Sequence, residues 1–556
     1  MAVYPREIKI PSPARRFSHW IIGAIFLFIY AATWDRIWQF DAVLASDIVE
    51  SWIIRDPLYV VFAENHFLFK ALGWVSYRLF AGPFFDLSAY QTLQLNSSLS
   101  AAAVVGILVF IFTKQEGSLI RPALGAVFLA VTASFWVHAS GGESYLLSAL
   151  SILIALVVLK WYLAKPNPAR KAAALLAAIL PPYVHTGNVI LTVIIGAVIL
   201  KTCWQARWKT IGLALGLWLA AGLPYIVIHN LYDPAEITAW WVRASNSRVW
   251  YALRATNSSW NLDLTSNISR SWMAWTGSGI ASTGWPSVLI LILTSLGLAL
   301  GFTEKPEQGA PPVSSQLWAK VVWVSFGIYV IFYSLWQPGN ATYWSTHWML
   351  LVMGILSLSQ ITAARRLVLR LAPSFAARRL CLAGVAAGIL GIGSSNFQER
   401  IYPNTLPENA PLAYFAQSLP SVVPQDSIIF ISGVKWGELK PYIPFFSKRK
   451  RVALELMLIR YPPDRALDYL GKAFVQAVLL KNGIFVTSDF WDKDAREILR
   501  ANWGVNSGDL DHLLDLFDRK ERVRFAPPSL GEPLILYELT PNKEFFEHFS
   551  RARLAR

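Results

Sequence analysis

Residues 57–81 read PLYVVFAENHFLFKALGWVSYRLFA, and the side of the membrane given to every later loop depends on whether this stretch crosses. It is long and apolar enough to do so, since a helix spans a bilayer with about 17–25 mostly apolar residues. It also holds Glu64, His66, Lys70 and Arg78, which are costly at mid-membrane. Other apolar runs of near-spanning length fall at 17–34, 88–113, 122–137, 144–159, 172–184, 187–200, 210–229, 285–303, 321–336, 343–361 and 380–396. With 57–81 lying in the interface as an amphipathic helix, the N-terminus and the loops on its side collect 20 Lys/Arg, Arg121 and Arg365 to Arg379 among them. The opposite short loops, 138–143, 185–186 and 337–342, hold none, and the two long ones hold four each. If 57–81 crossed, that bias would reverse. Cytoplasmic loops carry the Lys/Arg excess, so the stretch is expected not to cross, the N-terminus to be cytoplasmic, and the acid-rich loop 35–87 to be extracytoplasmic.

Composition agrees with many spans. The chain has 556 residues, 54% of them hydrophobic, and 25 Trp. Its mean hydropathy is +0.41, beyond the range of a soluble globular domain. The expectation is a polytopic α-helical membrane protein of about 11 transmembrane helices. The first apolar run follows Arg6, Lys9, Arg15 and Arg16 with no small-residue cleavage site after it, and is read as a retained span. The net charge of +15 fits basic loops facing anionic lipid rather than nucleic-acid binding. Two cysteines, Cys203 and Cys381, both in or beside apolar runs, argue against a structural disulfide or a cysteine zinc site.

The transmembrane part, 1–396, thus has outer loops at 35–87 and 230–284. Beyond Asn396 the composition is that of a soluble domain, 397–556. Strands are expected at 427–432, 483–488 and 533–539 and helices at 464–480 and 495–503, an alternation that makes a small α/β domain. It lacks a Gly-rich phosphate loop. On the stated topology it is extracytoplasmic, on the side that also receives Glu143, His185 and the loop 231–284. Five histidines, His66, His138, His185, His229 and His347, fall at outer helix ends, where the ring suits the interface. None has the spacing of a metal site.

The first outer loop carries Asp35, Asp41, Asp47, Glu50, Asp56 and Glu64. Asp47 and Glu50, three apart in SDIVESWIIRD, share a helix face, and Asp41 precedes that helix as a potential N-cap. A carboxylate at the outer surface can serve as general base toward a hydroxyl, while a nearby cation holds a phosphate leaving group. His66, Lys70, Arg248 and Arg254 are available for the second task. The structural alternative is an N-cap for Asp41 and a solvated face for Asp47 and Glu50.

Asp47-Ile-Val-Glu50, then His66, then Phe135-Trp136-Val-His-Ala139 with Glu143-Ser-Tyr145 resembles the GT-C superfamily of polyprenyl-phosphate-sugar glycosyltransferases. The likeness is nearest to a bacterial membrane family related to protein O-mannosyltransferases. Phe67 and Leu68 stand where that family has two prolines after its histidine. The resemblance implies an inverting transferase that takes a sugar from a polyprenyl-phosphate donor to an extracytoplasmic protein, glycan or lipid acceptor, with no cofactor. Asp47 or Asp41 would be the base, and Glu50 and Glu143 would orient hydroxyls. His66, Lys70, His185 and an arginine such as Arg248 or Arg254 would face the donor. Rivals from other classes are a secondary transporter, hinted at by the helix-breaking Pro181-Pro182, and an inactive lipid-binding or envelope scaffold protein.

Overall fold

The computed structural model describes residues 13–36, 40–51, 66–219 except 218, 264–301 except 283, 311–336 and 339–547. They form two compact units. One gathers the described residues of 13–35, 66–219 and 264–405, the other those of 36–51 and 406–547. The chain is a polytopic helical membrane protein.

In the first unit, helices run at Pro13–Ala32, Ala89–Glu116, Tyr145–Ala164, Trp285–Leu300, Val313–Trp336 and Phe375–Asn396. Two expected spans are interrupted. Ile120–Val131 meets Ala133–Ser140 at 69°, and Pro168–Ile179 gives way at Pro181-Pro182 to the short turn Pro181–Val184. Helix Trp344–Ser357 is followed by Thr362–Leu371, turned by 88°. The long loop expected at 230–284 contains a further helix, Leu264–Gly279; residues 220–263 lie outside the described residues.

Helix ends meet at two opposite levels. At one level Arg121 is fully buried and pairs with Glu116. Its Nε donates to the Leu298 carbonyl at 2.7 Å and its Nη2 to that of Ile355, also at 2.7 Å. Counted from sequence as a loop cation facing lipid, Arg121 is instead a tether between three helix ends, whose last carbonyls have no partner within their own helix. At the other level, Asn396 Nδ2 donates to the carbonyls of Val131 and Gly279, and its Oδ1 accepts from the Ala281 amide.

The doubtful stretch 57–81 is helical from Phe67 onward and continues to Phe85, as Phe67–Ser76, a π turn Tyr77–Ala81 and Gly82–Phe85; it stops at Asp86 in a left-handed conformation, φ 51°. Its amphipathicity is inverted relative to a soluble helix. Leu72, Val75, Leu79, Phe80, Phe84 and Phe85 face outward, while Phe69 and Lys70 are buried, as suits a helix whose outer solvent is lipid. Residues 57–65 lie outside the described residues.

The second unit contains a five-stranded sheet in the order Lys450–Ala453, Ile428–Ile431, Ile484–Thr487, Leu534–Pro541, Phe517–Phe525. Its strands are β1 Ile428–Ile431, β2 Lys450–Ala453, β3 Ile484–Thr487, β4 Phe517–Phe525 and β5 Leu534–Pro541. β2, β1 and β3 are parallel, and β5 and β4 add antiparallel. The helix Pro463–Leu479 covers the sheet with Ala466, Leu470, Phe474 and Ala477, spaced to share one face, and Phe474 stacks on Phe430 at 4.0 Å between ring centroids. β1, β3 and β5 and the two helices were expected; β2 and β4 were not, because KRVA and FDRKERVRF are short or charge-rich and do not read as apolar strands.

Candidate functional site

A turn at residues 141–144 links helix Ala133–Ser140 to helix Tyr145–Ala164. Gln94, Ser97 and Ser98, spaced to share one face of Ala89–Glu116, hold it. Gln94 Nε2 donates to the Asp35 and Ser140 carbonyls at 2.8 and 3.0 Å, Ser97 to Glu143 O at 2.9 Å, and Ser98 to Ala139 O at 2.7 Å. The Ala139 and Ser140 carbonyls are at a helix end and would otherwise be orphaned, and together the bonds hold the turn that carries Glu143, Ser144 and Tyr145.

His66, at the start of Phe67–Ser76, reaches this turn. Its Nδ1 lies 3.1 Å from the Val184 carbonyl and 2.9 Å from Ser144 Oγ. A carbonyl only accepts, so the first contact puts the proton on Nδ1 and leaves Nε2 with a lone pair. His185 has the opposite tautomer, because its Nδ1 accepts from the Gly187 amide at 3.2 Å and Nε2 therefore carries the proton. The two rings are 5.1 Å apart. Burial, then the nearby His185 and Lys70, hold His66 well below the usual histidine range, and burial lowers His185 to about 4. Both rings are therefore neutral at pH 7.

Around them sit Glu143, with Oε2 at 3.0 Å from His138 Nδ1, and Tyr145, whose ring is 4.7 Å from His138 and 5.8 Å from His185. Tyr343 closes the group at 5.6 Å from both Tyr145 and His185 and stacks on Tyr333 at 4.8 Å, which in turn lies 5.2 Å from His347. Gly187 has no alternative here, since a Cβ would fall 2.4 Å from the Tyr333 hydroxyl. Lys70, one turn beyond His66, is buried beside these rings. Among the described residues the cluster brings together the Lys70 ammonium, the neutral rings of His66 and His185 with opposite polarity, the Glu143 carboxylate and aromatic faces. No trio of His, Cys, Asp or Glu among the described residues is arranged to hold a metal ion.

Of the residues expected from sequence, His66, Lys70, Glu143 and His185 are thus brought together. Glu50 lies in the second unit, where helix Phe40–Ser51 buries Ala42, Val43, Ala45, Ser46 and Val49 and packs on the segments Leu439–Tyr442 and Ile443–Ser447. There Glu50 Oε2 accepts from Lys448 Nζ at 3.0 Å. Asp41 and Asp47 belong to the same helix, Asp41 inside its first turn rather than ahead of it; their side chains, and Arg248 and Arg254 entirely, lie outside the described residues. Ser144, Tyr333 and Tyr343 were not foreseen, because a serine in a turn and tyrosines in apolar runs carry no spacing signal.

No protein-family model matches the chain, and no curated protein matches it in sequence. Among solved structures it is similar to ArnT from Cupriavidus metallidurans in the apo state, with a TM-score of 0.55 at 12% identity, covering 94% of this chain and 98% of that one. The fold is GT-C. The same ArnT bound to undecaprenyl phosphate gives 0.55 at 12% identity over 95% and 98%. The oligosaccharyltransferase of Archaeoglobus fulgidus gives 0.46 at 12% identity over 91% and 72%.

Proposed function

We propose that this chain is a GT-C inverting glycosyltransferase that moves a sugar from a polyprenyl-phosphate donor to a hydroxyl acceptor on the extracytoplasmic side of the membrane. The observation that carries the reading is the likeness over nearly the whole of both chains to ArnT, a structure of which holds undecaprenyl phosphate. The cluster around His66 supplies chemistry that suits such a donor. The Lys70 ammonium is a point charge for phosphate oxygens, the His185 Nε2–H a neutral donor to the same group, and the tyrosine faces a surface for a sugar ring. The acceptor oxygen bonds to the anomeric carbon from the face opposite the phosphate, the carbon–oxygen bond to phosphate breaks, and the acceptor proton passes to a carboxylate. Asp47 is assigned that base, with Asp41 as the alternative. The Lys/Arg asymmetry supports an extracytoplasmic position for the acid-bearing helix and the α/β domain.

The test is Asp47→Asn beside Asp41→Asn in purified protein with undecaprenyl-phosphate-linked sugars as donors. The amide keeps shape but loses proton affinity, so turnover should fall about 10²–10⁴-fold with donor binding nearly intact. A fall in Asp41→Asn alone moves the base to Asp41. Full turnover in both removes these acids from the chemistry, and absence of transfer with every polyprenyl-linked donor favours a lipid-binding scaffold.

A further inference from the structure

From Ile361 to Gln398 the chain contains five arginines, Arg365, Arg366, Arg370, Arg378 and Arg379, and no Asp or Glu. They fall on two successive helices that meet at a corner, the bend at residues 372–374. Helix Thr362–Leu371 leaves the preceding helix at 88°, buries Val368 and exposes Leu367 and Leu371, as a helix lying flat in a membrane interface does. The next helix, Phe375–Asn396, is capped by Ser374, whose Oγ accepts from the Ala377 amide at 3.0 Å. Its face of Arg378, Leu382 and Val385 is buried, and the lower part of that face packs closely on Trp285–Leu300, where a Cβ on Gly297 would meet Val385 at 2.9 Å. Arg379, by contrast, lies over the Phe375 ring at 4.3 Å.

Arg378 is only 4% exposed, and among the described residues its Nε and Nη1 are buried without an acceptor. A buried guanidinium without a counter-charge is among the costliest groups a fold can carry, and its own segment supplies only further positive charge. The partner it calls for is an anion with two oxygens in the geometry of the guanidinium fork, at the depth where a helix N-terminus also favours negative charge.

We propose that this corner is a binding site for the phosphate of an anionic membrane phospholipid, with Arg378 as its buried ligand and Arg365, Arg366 and Arg370 supplying the surrounding field. The site stands apart from the cluster at His66 and does not rest on the glycosyltransferase reading.

The full chain, delipidated and returned to bilayer discs of phosphatidylglycerol or phosphatidylcholine, should retain phosphatidylglycerol preferentially on native mass spectrometry and unfold at a higher temperature in it. Arg378→Gln should weaken that retention at least about tenfold, the equivalent of a single strong contact. If Arg378→Gln does not fold, Arg378→Lys keeps charge without the fork and should give intermediate retention, and the comparison of the two lipids on the unaltered chain still decides. Equal retention of both lipids overturns the site. So does protection by inorganic phosphate matching that of phosphatidylglycerol, which would make the ligand a free anion. Destabilisation by Glu304→Gln with Glu307→Gln, equal to that of Arg378→Gln and with lipid retention unchanged, would assign the counter-charge to a carboxylate of the chain itself and overturn the proposal too.

Discussion

His185 donates through Nε2 only while its ring is neutral, and its burial sets the pH at which that fails. Folded, the ring titrates at about 4; unfolded, it titrates near ~6.5. Between these values the unfolded chain holds the extra proton, so stability contributed by His185 is complete above about 6.5 and is lost as pH falls toward 4. His66, lowered for the same principal reason, adds in the same direction. Thermal unfolding between pH 7.5 and 5 should show a falling midpoint, and His185→Gln should flatten the slope; an unchanged slope in that variant would locate the acid sensitivity elsewhere. Lys70 makes a separate prediction. If it holds the donor phosphate, Lys70→Ala should cost about 2–4 kcal/mol of transition-state stabilisation, read as a loss in kcat/KM for the polyprenyl-linked donor. Unchanged kinetics would free Lys70 from that role.

The helix Phe40–Ser51 is the element on which the proposed base rides, and two kinds of contact hold it to the α/β domain. The Glu50–Lys448 pair has both side chains more than a third exposed, so it contributes about 0–1 kcal/mol. The buried face contributes more, since Val43 and Val49 have no exposure and each such burial is worth about 1.5–3 kcal/mol. Val49→Asp should therefore release the helix, accelerating amide hydrogen exchange across 40–51, whereas Lys448→Ala should leave exchange nearly unchanged. The reverse ranking would make the ion pair the anchor. This element also marks where sequence reasoning reached and where it stopped. The D-x-x-E spacing identified a helix, but nothing in residues 40–51 names segment 439–447 as the surface it packs on, because that contact joins positions some 400 residues apart. The same limit applies at the site. His66, Glu143 and His185 stood out as polar groups at helix ends, while Ser144 and Tyr343 were visible only once the turn at 141–144 and the start of Trp344–Ser357 were brought side by side. β2 and β4 escaped for another reason, since pairing rather than apolar pattern makes them strands.

At the scale of the whole molecule, the orientation drawn from Lys/Arg bias gives a direct test. Cys203, which sits beside Tyr162 with Sγ 2.9 Å from its hydroxyl, should escape an impermeant thiol reagent in intact cells and react once the membrane is opened, whereas Ser507→Cys in the α/β domain should react in intact cells. Labelling of Cys203 but not residue 507 in intact cells would invert the protein. The buried Arg121 bears on how such a chain is made. Its carbonyl partners at Leu298 and Ile355 lie 177 and 234 residues downstream, so for much of translation the early hairpin around Glu116 and Arg121 has an ion pair whose outer bonds do not yet exist. A nascent chain stalled before residue 298 would have to keep that pair near the headgroups or under the care of the insertion machinery. Completion of Trp285–Leu300 and Trp344–Ser357 is then the step that allows the early helices to settle, which makes the bundle's assembly order a property written into one arginine.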